Sequence, residues 1–199
     1  DQNHYLSYGA LASRRLGCGL TTVAWSGKGV FSNRGADDGR ETMSDLWWRV
    51  LPSEDAQVSS KRDFVEDPDA VLINLGTNDL AEQVRDITPL RSKYGRLIHG
   101  IRERHPTADL VVAVSPTLND RWPTGRPSRS IMRDILAEIV EGRRARGESR
   151  IHWMEFSEIS AEEGFGTLWH PNGRTHRRMA SELLSALQKT VSWASDLGD

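Results

Sequence analysis

A single cysteine, Cys18, among 199 residues rules out an internal disulfide and any cysteine-based metal cluster. Long apolar runs are missing too: none approaches the roughly 18 residues of a membrane span, and no signal peptide is visible. Nor is there an excess of one charge. Lys and Arg total 26 against 28 Asp and Glu, and the basic residues are scattered, so the chain shows no electrostatic footprint for nucleic acid. The Arg143 to Arg150 stretch reads as a solvated helix end. No internal repeat is found, and the length suits one domain, residues 1–199, with enough chain for a real core. The first residue is Asp1 rather than Met, which suggests a processed product or a fragment.

What is present is organised around Ala70-Val71-Leu72-Ile73-Asn74-Leu75-Gly76-Thr77-Asn78-Asp79. The run from Ala70 to Leu75 has the length and composition of a fully buried parallel strand. Gly76 and Thr77 stop it, so Asn78 and Asp79 fall just past its carboxyl end, where open α/β sheets build their sites. Upstream, apolar spacing predicts a helix from His4 to Leu16, stopped by Gly17, and then a strand over Thr21 to Trp25 ending in Ser26-Gly27-Lys28-Gly29. A short helix from about Ser44 to Leu51 and an irregular excursion from Asp55 to Asp69 follow. Downstream, Thr88 and Pro89 open a helix that ends near His105-Pro106, and Leu110 to Val114 is a strand. A long loop from Ser115 to Arg129 contains Trp122; it leads to a helix through Ile131 to Val140, a strand from Ile151 to Met154, and a last helix from about Arg174 to Trp193. This alternation implies an α/β fold: a doubly wound parallel sheet covered on both faces, a three-layer α/β/α sandwich. An opening helix is unusual for such a fold, which normally begins with a strand.

Three strand exits therefore carry candidates: Gly27 and Gly29, then Asn78 and Asp79, then His170 in Leu168-Trp169-His170-Pro171. A parallel sheet gathers such exits along one edge. A glycine N–H and an Asn side chain would make a two-donor oxyanion hole, with a histidine beside it as general base. His170 and His176 lack the helical spacing of a metalloprotease pair and have no carboxylate cluster around them, which argues against a metal. His176 reads as a residue that caps or packs the last helix, while His4, His99, His105 and His152 read as incidental. Of the seven tryptophans, Trp122 and Trp169 fall in loops, where an indole can stack on a sugar ring; Trp25, Trp47, Trp48, Trp153 and Trp193 read as core or groove packing.

Together, Asn3 to Tyr8, Ala24-Trp25-Ser26-Gly27-Lys28-Gly29-Val30, Ile73 to Asp79, His170-Pro171 and His176 resemble the motif blocks of the SGNH (GDSL-like) hydrolases. The pattern is most similar to the carbohydrate esterase family 2 branch, whose members deacetylate plant polysaccharides and related acetylated sugars. The resemblance implies an SGNH, flavodoxin-like fold and a serine-type acetyl esterase working through an acetyl-enzyme, with no metal or cofactor. It implies that Gly27 donates a backbone N–H to the oxyanion, with Gly29 as the alternative, and that Asn78 donates from its side chain. Asp79 would brace the loop, and His170 would activate the nucleophile and protonate the leaving alcohol. Trp169 and Trp122 would be the substrate platforms, and the family's usual setting is secreted or extracellular.

Two departures from the pattern follow. The family's opening strand with its Gly-Asp-Ser nucleophile should precede the His4 to Leu16 helix, and this chain starts after it, so an upstream segment or a second chain is expected to supply both. Ser7 lies in the predicted helix and Ser26 reads as a turn residue. The places of the usual triad Asp hold Thr167 and Leu168, leaving a backbone carbonyl, Glu155, Glu158, Glu162 or Glu163 to orient the imidazole. Another reading remains beside the enzyme: a non-catalytic carbohydrate-binding or scaffolding derivative that kept the fold.

Overall fold

The computed structural model of the chain describes residues 3–35, 41–54 and 67–195. Its elements are α1 (Tyr8–Leu16), α2 (Met43–Leu46), β1 (Ala70–Ile73), α3 (Thr88–Arg104), β2 (Asp109–Val114), α4 (Ser128–Arg144), β3 (Ile151–Glu155), α5 (Gly173–Thr190) and α6 (Ser192–Ser195). Short 3-10 turns lie at His4–Leu6, Asn78–Leu80 and Thr167–Trp169. Among the described residues the sheet has three parallel strands in the order β1-β2-β3, with Ile73 opposite Val112 and Val114 opposite Glu155. No described helix is long and apolar enough to cross a membrane.

Alternation along β2 divides the core. Leu110, Val112 and Val114 face a layer that includes Tyr94, Leu97 and Ile98 of α3 with Met132, Leu136 and Val140 of α4. Val111 and Ala113 face Ala12 of α1 and Met179, Leu183 and Leu187 of α5. Each side chain of this size buried in full contributes about 1.5–3 kcal/mol, so two covered faces account for a stable three-layer sandwich. Local signals set the helix ends: Ser7 accepts from the Ala10 N–H, Gly17 closes α1 in a left-handed conformation, and Asn172 accepts from the Arg174 and Thr175 N–H groups at the start of α5.

Several expectations are corrected. The Ala70 to Leu75 run is not a fully buried strand: among the described residues β1 pairs with β2 alone and is half-buried until Ile73, and β2 is the strand whose every residue is buried. Thr21 to Trp25 forms no strand, and Thr21, Thr22, Ala24 and Trp25 are exposed. Its β-branched composition finds no neighbouring strand to pair with, and propensity alone does not make a ladder. For the same reason Trp25 is exposed rather than packed in the core. The opening helix begins only at Tyr8, with Ser7 as its cap, and the helix expected to Leu51 stops at Leu46. The last helix breaks at Val191. Residues 55–66 of the expected excursion lie outside the described residues.

The basic stretch after α4 is also more than a solvated end. Glu148 takes Arg102 on one carboxylate oxygen and Arg143 on the other, at 2.8 and 2.6 Å, while Arg144 reaches the Ile151 carbonyl and the His152 ring. His152 also faces Asp109, at 3.4 Å. Burial holds the His152 imidazole below its ordinary pKa, with Asp109 opposing and Arg144 adding to the depression; burial also lowers His176. In mild acid the unfolded chain therefore binds protons that the folded chain refuses, so stability falls as pH drops below about 6.5. The urea midpoint should be lower at about pH 5 than at about pH 7.5, and the double variant His152→Gln/His176→Gln should narrow the gap. A gap of undiminished size in the double variant would contradict this assignment.

Candidate active site

Asp79 follows the β1 exit and is fully buried. Its Oδ2 accepts the Val30 N–H at 2.9 Å, and its Oδ1 accepts those of Phe31 and Ser32 at 2.7 and 2.9 Å. Three donors converging on two oxygens is the geometry of an ionised carboxylate. Burial pushes this carboxyl above its usual pKa, and the same three donors pull it back. The contact joins two loops almost fifty residues apart in sequence.

Gly29 is packed into the joint. A Cβ there would stand 2.0 Å from the Ser32 carbonyl oxygen and 2.6 Å from Asp79 Oδ2, so glycine is required for close approach rather than for an unusual angle. Its N–H donates to Asn33 Oδ1 at 3.2 Å and its carbonyl accepts from Met43. Gly29 is thus occupied in holding the loop, and the alternative oxyanion donor is corrected on that ground. Gly27 differs. It turns with φ +80°, a Cβ there would meet open space, and its N–H donates to no acceptor among the described residues. Asn78 donates one Nδ2 hydrogen to the Lys28 carbonyl at 3.0 Å, which sets the amide beside the Gly27 turn and leaves its second hydrogen for a ligand.

His170 sits on a separate loop before α5. The Thr167 carbonyl lies 3.0 Å from its Nδ1, so Nδ1–H donates there and Nε2 is left as the acceptor, the tautomer a general base needs. Three of the four glutamates considered for this task are committed elsewhere, and Glu162 makes no side-chain bond to His170 among the described residues. Glu155 pairs with Arg129 and Arg133, Glu158 with Arg121, and Glu163 with Arg178. Among the described residues no hydrogen bond joins His170 to Asn78 or to the glycine turn; the contacts that are made join Asn78 to Lys28, and Asp79 to Val30, Phe31 and Ser32. The helix that follows the His170 loop is tied to the end of β1. Asn172 caps α5, His176 of α5 accepts the Tyr8 N–H, and the Tyr8 hydroxyl accepts from Asn74 at the end of β1.

The two loop tryptophans are both exposed. Trp169 meets Phe165 edge-on at 5.3 Å, and both it and Leu168 hold positive φ, 64° and 53°, a strained state for residues with a Cβ. Trp122 lines a shallow depression of about 210 Å³ with Glu82, Thr124 and Arg126. Arg126 donates to the Leu80 and Ala81 carbonyls, fastening this loop to the residues directly after Asp79. The sequence reading missed this arginine, because a guanidinium bonded to backbone carbonyls leaves no spacing motif. It missed Asn33 and Asn74 for the same reason.

A model of the GDSL-like lipase/acylhydrolase family matches residues 1–178. The chain belongs to that family. The chain is 31% identical over 193 residues to the cellulase/esterase CelE of Acetivibrio thermocellus, a match covering 97% of the chain and 22% of CelE. It is 22% identical over 187 residues to an acetylxylan esterase/glucomannan deacetylase of Cellvibrio japonicus, covering 94% of the chain and 49% of that protein. A family two carbohydrate esterase from Clostridium thermocellum, solved with cellohexaose, superposes with a TM-score of 0.84 at 31% identity, over 96% of this chain and 56% of that one. The GDSL-like chain therefore spans less than half the length of these curated relatives, and it shares the α/β architecture of the family two esterase fold.

The clamp makes a direct prediction. Asp79→Ala strands three backbone N–H donors, each buried polar group left unmade costing about 1–3 kcal/mol, so a loss of roughly 3 kcal/mol or more in urea unfolding is expected. A change under about 1 kcal/mol would contradict the clamp.

Proposed function

We propose that this chain is the core of a serine-type carbohydrate O-acetyl esterase acting on acetylated xylan or related sugars. The observation that supports the reading is the Asp79 clamp on Val30, Phe31 and Ser32, together with the Asn78 bond to the Lys28 carbonyl, the residue after Gly27; the Gly27 N–H and the second Asn78 Nδ2 hydrogen have no acceptor among the described residues. Two such donors, brought to one point, would suit the oxyanion of an acyl-transfer intermediate. His170 supplies the base: with Nδ1–H on the Thr167 carbonyl, Nε2 takes the proton from the attacking hydroxyl and returns it to the departing sugar alcohol. An acetyl-enzyme forms and water resolves it, with His170 acting again as base.

The hydroxyl is supplied by a segment upstream of Asp1 or by a second chain, which pairs with the free edge of β1. Supporting this, β1 has a partner on the β2 side alone among the described residues, and Val71 and Leu72 are half-buried. Thr21 to Trp25 would gain in the added strand the neighbour it lacks. Trp169 and Trp122 are the proposed sugar platforms, their exposed rings suiting the apolar faces of a pyranose. A polysaccharide substrate also fits an extracellular setting.

One observation favours a second reading, a sugar-binding derivative without turnover: no serine hydroxyl among the described residues hydrogen-bonds to His170. Kinetics separate the two. In the protein with its upstream segment present, His170→Ala is expected to abolish acetate release from acetylated sugars, and Asn78→Ala to lower kcat about 10²- to 10³-fold. Undiminished acetate release from His170→Ala would refute the catalytic reading; sugar binding without any release from the unaltered protein would establish the binder.

A further inference from the structure

Arg126 joins two loops that are far apart in sequence. Its Nη1 donates to the Ala81 carbonyl at 2.7 Å and to the Leu80 carbonyl at 3.3 Å, and its Nη2 donates to the Val84 carbonyl. All three acceptors lie in or just after the Asn78–Leu80 turn. A planar fork of fixed N–H groups suits such a convergence, and a lysine, with one ammonium group, does not copy it.

At the other end Arg126 is coupled closely to Trp122. Its backbone N–H donates to the Pro123 carbonyl at 3.0 Å, which closes a tight turn between the two residues. On the far side of the indole, Asn119 Oδ1 accepts the Trp122 and Arg121 N–H groups at 2.8 and 2.9 Å. The Trp122 backbone is thus held from both directions while its ring stays exposed. The depression beside it, about 210 Å³, is lined by Trp122 and Thr124 from this loop and by Glu82 from the segment that Arg126 grips. The Glu82 carboxylate makes no hydrogen bond or ion pair among the described residues. An indole face and an accepting carboxylate across a shallow space suit a neutral sugar ring, the one meeting its apolar face and the other its hydroxyls.

We infer that Arg126 is a positioning residue for a bound sugar: it fixes the span between the Trp122 wall and the Glu82 wall of this depression, and with it the place of Trp122 relative to Asn78. The chemistry of the ligand rests on the carbohydrate reading given above. Span matters because one ring has to meet both walls at once. With the walls unlinked, ordering them falls to the ligand, and affinity drops by that cost.

The full-length protein serves for the test, with xylohexaose as the binding probe and acetylated xylo-oligosaccharides as the substrate. Arg126→Lys should raise Kd and KM about tenfold while kcat changes less than about twofold. It should also speed hydrogen exchange in residues 80–84 and 119–125 and leave β2 and α4 unchanged. In a Trp122→Ala background the same substitution should cost less than about twofold in affinity, because Arg126 acts through the placement of the indole. Wild-type Kd in Arg126→Lys, a fall in kcat at constant KM, losses that multiply in the double variant, or an unaltered protein that does not bind xylohexaose would each overturn the inference. Should Arg126→Lys loosen β2 and α4 as well, Glu82→Ala decides, since it removes one wall and leaves the tie: binding about tenfold weaker, with no further loss when Trp122 is also replaced by Ala, supports the role, and wild-type binding overturns it. The stated binding response in a protein that releases no acetate refutes the esterase reading alone; acetate release with affinity indifferent to Arg126 refutes the positioning role alone.

Discussion

The Asp79 carboxylate and the N–H groups of Val30, Phe31 and Ser32 form the joint on which the site depends. Without it, the loop that carries Gly27 has no described strand of its own to hold it, because Thr21 to Trp25 joins no ladder among the described residues. The carboxylate therefore substitutes for a ladder. It also dictates Gly29, since any side chain at that position would meet Asp79 and the Ser32 carbonyl. Asn78 completes the arrangement from the same turn, one amide hydrogen on Lys28 and one held in reserve. Glycine, asparagine and aspartate are thus three parts of a single local solution.

The sandwich around the joint explains why it sits where it does. β2 is buried on both faces and binds β1 and β3 in parallel, so the exits of all three strands lie on one edge. α3 and α4 close one face and α1 and α5 the other. α5 then has a second duty: Asn172 at its start and His176 in its first turns tie the His170 loop to Tyr8, and through it to Asn74. Packing on the α1/α5 face and chemistry on the rim are coupled by this one chain of contacts.

Much of this was legible in the residues. Helices α3, α4 and α5 announced themselves through apolar spacing, α3 also through Thr88-Pro89 at its start, and β2 and β3 through short apolar runs between turns. The bracing role of Asp79 was legible because it stands just past β1, at a break between an apolar run and a loop. What failed was everything that depends on a neighbour. Ala70 to Leu75 has the composition of an interior strand, but position in a sheet is a tertiary property, and among the described residues β1 pairs on one side alone. Thr21 to Trp25 has the composition of a strand and no ladder partner among the described residues. That the Gly29 N–H is taken by Asn33, and that Glu155, Glu158 and Glu163 pair with arginines, are tertiary facts of the same kind. The family resemblance extended the reading to the fold and its relatives.

The central claim is that two donors and one imidazole address a common point, and a crystal structure of the protein together with its serine-bearing segment, trapped with a phosphonate mimic of the tetrahedral intermediate, tests it most directly. The account predicts the phosphonyl oxygen within about 2.7–3.1 Å of both the Gly27 nitrogen and Asn78 Nδ2, with His170 Nε2 turned to the serine oxygen. An oxygen bound elsewhere, or an imidazole facing away from the serine, would contradict it.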